Sequence, residues 1–157
     1  MENADLQEAL TQQSPVSKSV DKVLKALVMV PEKTSLELGI TLNVNGLLVT
    51  GFLISQRAYF EGLTERVKST SSDSETKGVL EHFLGELKEV ALRDSQNVKT
   101  GFSPFIHLRN VKIYPSEGRG MPTFGEALWR GDIRAINGFS LGEMVPTQFD
   151  RFTRSSA

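Results

Sequence analysis

The 157-residue chain predicts an α+β fold: a small, bent antiparallel sheet or partly closed barrel of about five strands, with a two-helix insertion and an N-terminal helix. Three observations carry that prediction. Leu36, Leu38, Ile40, Leu42 and Val44 alternate with polar residues or glycine, the period of a half-buried strand. Asn45-Gly46 follows, a dipeptide suited to the positive φ angles of a two-residue hairpin turn. Two segments of helical period then separate this hairpin from a second strand-rich stretch.

In chain order, the polar first 13 residues read as a flexible tail, and residues 14–146 as one domain. Ser14-Pro15 is a helix start, because serine accepts from an orphan N–H and proline lacks one there. Val16, Val20, Val23, Leu24 and Leu27 continue at helical spacing, and Pro31 predicts an end by Val30. The hairpin sets Val44 against Leu47, Leu42 against Val49, Ile40 against Gly51 and Leu38 against Leu53. A glycine in mid-strand marks a bend or a close backbone approach. Leu48, Phe52 and Ile54 fall on the other face, so that face must also be covered.

Ser55 caps a helix from Gln56 to about Lys68, with Tyr59, Phe60, Leu63 and Val67 as its stripe. A polar hinge follows, and Ser72 with Glu75 has capping-box spacing for the next helix. Leu80, Phe83, Leu84, Leu87, Val90 and Ala91 lie on one face of that helix, placing the insertion near 56–95. In the strand Phe105–Tyr114, Ile106 and Leu108 share one parity while Val111 and Ile113 take the other. The slip at Arg109-Asn110 predicts a bulge. Residues Pro115–Gly125 read as a loop, and Leu128–Ile136 as a strand that turns at Asn137-Gly138 into Phe139 and Leu141. Residues 147–157 read as a second flexible tail.

Composition narrows the functional classes. Without cysteine there is no disulfide, thiol nucleophile or cysteine-ligated metal. No run approaches the 18 apolar residues of a membrane span, and Glu2, Asp5 and Glu8 have the wrong sign for a signal peptide. These features lead us to expect a cytoplasmic protein without membrane insertion. Residues 1–98 carry 10 basic and 14 acidic side chains, and residues 99–157 carry 8 and 5. That mild asymmetry is not the field of a strong nucleic-acid binder.

Catalytic equipment is sparse. His82 and His107 have no sequence-adjacent imidazole, and a Glu81/His82/Glu86 metal set is a spacing common on helices. There is no nucleophile elbow, and Gly118, Gly120 and Gly125 match neither a P-loop nor a dinucleotide fingerprint. The sequence therefore assigns no catalytic, cofactor or metal residues. The candidate interaction residues are Arg109, Lys112, Arg119, Phe124, Trp129, Arg130 and Arg134, where basic and aromatic residues interleave. Such a pattern binds single-stranded nucleic acid by stacking and charge, or else divides between core and solvent. Leu128–Ile133 is similar to the strand motif of Sm-like RNA-associated barrels, so an Sm-like or SH3-like barrel is the closed form of the expected sheet. The apolar face of the second insertion helix either docks on another protein or packs internally.

Three segments read together are more specific. Leu42–Ser55, Phe105–Tyr114 and Leu128–Gly142 resemble, in that order, the gas vesicle accessory protein GvpU family, over most of residues 34–144. The N-terminal helix and the C-terminal tail fall outside the resemblance. It implies a non-enzymatic, cytoplasmic protein that associates with gas vesicles and modulates their clustering or surface properties. The implied partners are the vesicle shell or other gas vesicle proteins, with a homo-oligomer as a further expectation and no nucleic acid. The alternatives are a small-barrel nucleic-acid-binding protein and an assembly adaptor or chaperone-like protein for vesicle formation.

Overall fold

A computed structural model describes residues 19–70, 73–97, 103–115 and 127–144. The first helix, α1 (Lys22–Lys33), opens at Asp21, whose carboxylate accepts from the N–H groups of Val23 at 2.7 Å and Leu24 at 3.0 Å. The start expected at Ser14-Pro15 lies outside the described residues, but the expected continuation through Val20 is corrected, because Ser19 and Val20 precede the Asp21 cap and are not helical. The expected stop before Pro31 is corrected: the helix runs through Pro31 to Lys33. Proline gives up one hydrogen bond and crowds the carbonyl four residues back, which the last turn of a helix absorbs most easily. Its ring is buried, and Thr34 closes the end by donating its N–H and hydroxyl to the Val30 carbonyl.

β1 (Leu38–Val44) and β2 (Leu47–Ile54) form the expected hairpin, with all four predicted core pairs in register. Asn45 and Gly46 both have positive φ at its turn. β3 (Phe105–Tyr114), β4 (Trp129–Asp132) and β5 (Ile136–Leu141) complete an antiparallel sheet in the order β4-β3-β2-β1-β5. A three-residue 3₁₀ turn, Ile133–Ala135, joins the two outermost strands. So short a link draws the two edges together, and the sheet curls around Ile40, Leu42, Leu53, Ile106, Leu108 and Ile133. Leu24 and Val28 of α1 pack into the same core.

That 3₁₀ turn overturns part of the sequence reading. The strand expected to run from Leu128 to Ile136 breaks at Ile133, because the Asp132 carboxylate accepts from Arg134 N–H at 2.8 Å. Asn137-Gly138 is not a hairpin turn. Both residues lie within β5, where Gly138 faces Asn43 and the Asn137 side chain accepts from Asn45 N–H at 2.8 Å. The Asn-Gly preference therefore loses there to a corner set by an aspartate two residues before an arginine.

The insertion forms a helical hairpin. α2 (Gln56–Thr70) is capped by Ser55, whose hydroxyl accepts from Ala58 N–H at 3.1 Å. α3 (Ser74–Asn97) is capped by Asp73, whose carboxylate accepts from Thr76 N–H at 3.0 Å, and Ser72 lies outside the described residues. α2 packs over the outer face of β3, and Phe60 and Ile54 are buried. Of the outward apolar residues of β2, Ile54 is buried, whereas Leu48 and Phe52 are half-buried. α3 packs on α2, with Lys88 and Glu61 paired at 3.0 Å.

Candidate functional site

The alternation of β3 sends His107 away from the barrel core, into the layer between the sheet and α2. Its side chain is only 1% exposed, and the Tyr59 ring lies over it at 4.8 Å between centroids. Nε2 has no hydrogen-bond partner. Arg130 stands opposite His107 on β4, its guanidinium 3.9 Å from the Phe105 ring centre and 5.8 Å from that of Phe60. Burial, assisted by the Arg130 charge, pushes the His107 pKa from 6.5 down to about 3, so the imidazole is neutral near pH 7. Burial also raises the Tyr59 phenol, with Arg130 opposing. A neutral imidazole without a carboxylate partner, sealed under an aromatic ring, is placed for packing rather than proton transfer.

One strand register further along, the expected bulge is present. Thr50 faces Lys112 but Phe52 faces Arg109, so Gly51 alone opposes Asn110 and Val111. Asn110 absorbs the extra residue with a φ of 53°. Its Oδ1 is buried without a partner. The bulge turns Arg109 toward Glu37, which accepts from Nε at 2.8 Å, and the guanidinium also lies 5.9 Å from the Phe52 ring centre. A cleft of about 680 Å³ opens here between α2 and the sheet, lined by Glu37, Ile54, Gly62, Arg109, Asn110 and Leu128.

The five predicted interaction residues that are described do not share one surface. Trp129 packs against the barrel core, whereas Arg130, its neighbour in β4, projects to the α2 side. Arg109 is paired with Glu37, and Arg134 with Asp132 at 2.6 Å. The Asp132 carboxylate is held below its usual pKa mainly by the Arg134 hydrogen bond. Lys112 is exposed on β3, and Arg119 and Phe124 lie outside the described residues. Sequence reasoning missed Glu37 and Tyr59. Both reach their partners across distant segments, and only the 132–134 spacing was a local signal.

Within α3, His82 Nε2 lies 3.4 Å from Glu86, but Glu81 is one residue and about 100° away around the helix. Among the described residues, no group of three or more His, Cys, Asp or Glu side chains could hold a metal ion. No helix among them is long and apolar enough to cross a membrane. Comparison with curated proteins and with solved structures gave no match. Residues 21–144 match the family described as gas vesicle protein GvpU-like. The match begins at the capping residue of α1, so the family's unit includes the first helix and is longer than the 34–144 span of the sequence resemblance. With most of its length inside that match, the chain belongs to the gas vesicle protein GvpU-like family.

Proposed function

We propose that this chain is a non-enzymatic gas vesicle accessory protein that associates with vesicles in the cytoplasm and modulates their clustering or surface properties. The observation that carries the reading is the family match, which spans the sheet, the insertion and α1 together. The arrangement of charge supports it. Arg109 and Arg134 are paired with Glu37 and Asp132, and Arg130 stacks on Phe105, so each of the three arginines has a partner within the chain. Clustering needs no single strong contact, because many weak contacts between two vesicle surfaces act at high effective concentration.

Flotation tests this reading. Purified protein mixed with isolated vesicles is expected to rise with them, and light scattering is expected to increase as vesicles cluster. Protein that stays in the lower layer while the vesicles rise alone overturns the reading. Salt-sensitive binding to single-stranded RNA or DNA in its place would move the assignment to a nucleic-acid-binding barrel.

A further inference from the structure

α3 has two seams. Leu84, Lys88 and Ala91 follow the side that packs on α2, where Lys88 meets Glu61. Leu80, Phe83, Leu87 and Val90 follow a second side at spacings of three, four and three, the a/d pattern of a helix-pairing seam. Among the described residues nothing covers this second seam. Phe83 is 54% exposed, Val90 56% and the adjoining Val79 65%, with Leu80 and Leu87 also exposed. Together these five side chains present on the order of 400 Å² of apolar surface, about the largest patch a lone soluble domain leaves open.

We propose that this seam is a self-association surface, on which α3 of a second copy lies antiparallel, so that two α2–α3 hairpins form a four-helix bundle. A seam with heptad spacing calls for another helix that carries the same spacing. The antiparallel register sets Leu80 against Val90 of the second copy and Phe83 against Leu87, a larger beside a smaller side chain in each layer. The flank beside the seam carries His82, Glu86, Glu89 and Arg93, and it borders a hollow of about 670 Å³ at Gly85. The same register brings His82 beside Glu89 of the second copy, and Arg93 beside the uncharged Val79. The one like-charge approach, Glu86 to Glu86, falls next to the two-fold axis, where each carboxylate lies 3.4 Å from His82 Nε2 of its own helix. A flank of mixed sign offers no matching field to a strongly acidic or basic partner. Two copies would bury roughly 1,000 Å² in all, the size of a weak and reversible contact. Such a contact deepens the accessory reading above: it rests on that reading for its role in clustering, and on α3 alone for its existence.

Sedimentation equilibrium from micromolar to millimolar concentration tests it. The wild-type chain is expected to pass from monomer to dimer, and Phe83→Glu with Val90→Glu to stay monomeric with unchanged far-UV circular dichroism. Because the chain has no cysteine, Glu86→Cys provides a second measurement that does not disturb the seam. It is expected to give a disulfide-linked dimer under mild oxidation, whereas Val79→Cys is not. A wild-type chain that stays monomeric throughout, or linking through Val79→Cys in place of Glu86→Cys, overturns the proposal. A monomeric wild type whose flotation with vesicles is lost in the glutamate variant assigns the seam to the vesicle and overturns it too. A dimeric chain that fails to float keeps the seam and overturns only the vesicle reading.

Discussion

The carbonyl oxygen of Arg109 stands 2.7 Å from the point that a β-carbon on residue 51 would occupy. Gly51 therefore lets β3 bulge against β2 at the place where the two ladders change phase. The obstacle is backbone, which cannot swing aside as a side chain does. Gly51→Ala is expected to lower stability by about 1–3 kcal/mol through forced strand separation. Urea unfolding followed by tryptophan fluorescence measures it, and a wild-type midpoint would contradict the close approach.

Asn110 supplies the other half of the bulge. At a φ of 53°, any residue with a branched β-carbon is strained, whereas glycine is not. Asn110→Val is expected to cost about 1–2 kcal/mol. Asn110→Gly should be close to neutral, because it also removes the buried, unpartnered Oδ1. Equal unfolding midpoints for the two variants would contradict the conformational argument.

His107 makes stability depend on pH. Its folded pKa of about 3 lies below the usual 6.5, so between those values the unfolded chain binds a proton that the folded chain refuses. The stabilisation is complete above 6.5 and is lost as pH falls toward 3. Between about pH 7 and pH 5 the wild type is expected to lose about 2 kcal/mol from this residue. Glu32 acts in the opposite sense, since burial raises its carboxyl above 4.5 despite the Gln56 N–H bond and the Arg57 charge. Comparison with His107→Phe cancels that contribution, and the variant should show the shallower pH dependence. Identical slopes for the two proteins would show that His107 is not the titrating group.

The sequence showed the β1–β2 hairpin residue by residue, because one alternating run and one turn dipeptide determine its register. The Arg109-Asn110 slip was legible for a similar reason: apolar residues that change parity within one strand can keep facing the core only if an extra residue is inserted between them. The β4–β5 corner was not legible. Its phase matched a single longer strand and outweighed the local Asp132–Arg134 spacing, and the Ile133 N–H bond to the Pro104 carbonyl becomes visible only once distant segments meet. The surface residues fared worse still. Whether an arginine is free or paired depends on a partner such as Glu37, 72 positions away, that no local pattern indicates.

The outer face of the hairpin contains a small polar node that ties down the end of the described chain. Thr50 is fully buried; its hydroxyl accepts from Thr41 Oγ1 at 3.0 Å and from Met144 N–H at 2.9 Å, and lies 3.3 Å from the Ile40 carbonyl. Thr41 Oγ1 also lies 2.9 Å from the Gly142 carbonyl, so both threonines hold the segment that leaves β5. Thr50→Val keeps the shape but leaves Met144 N–H without its acceptor, at an expected cost of about 1–3 kcal/mol. Thr50→Ser keeps the hydroxyl and should recover most of that loss. Hydrogen exchange at Met144 separates the two effects, with fast exchange expected in the valine variant and protection retained in the serine one. Equal protection of that amide in all three proteins would remove the threonine node as the anchor of this segment.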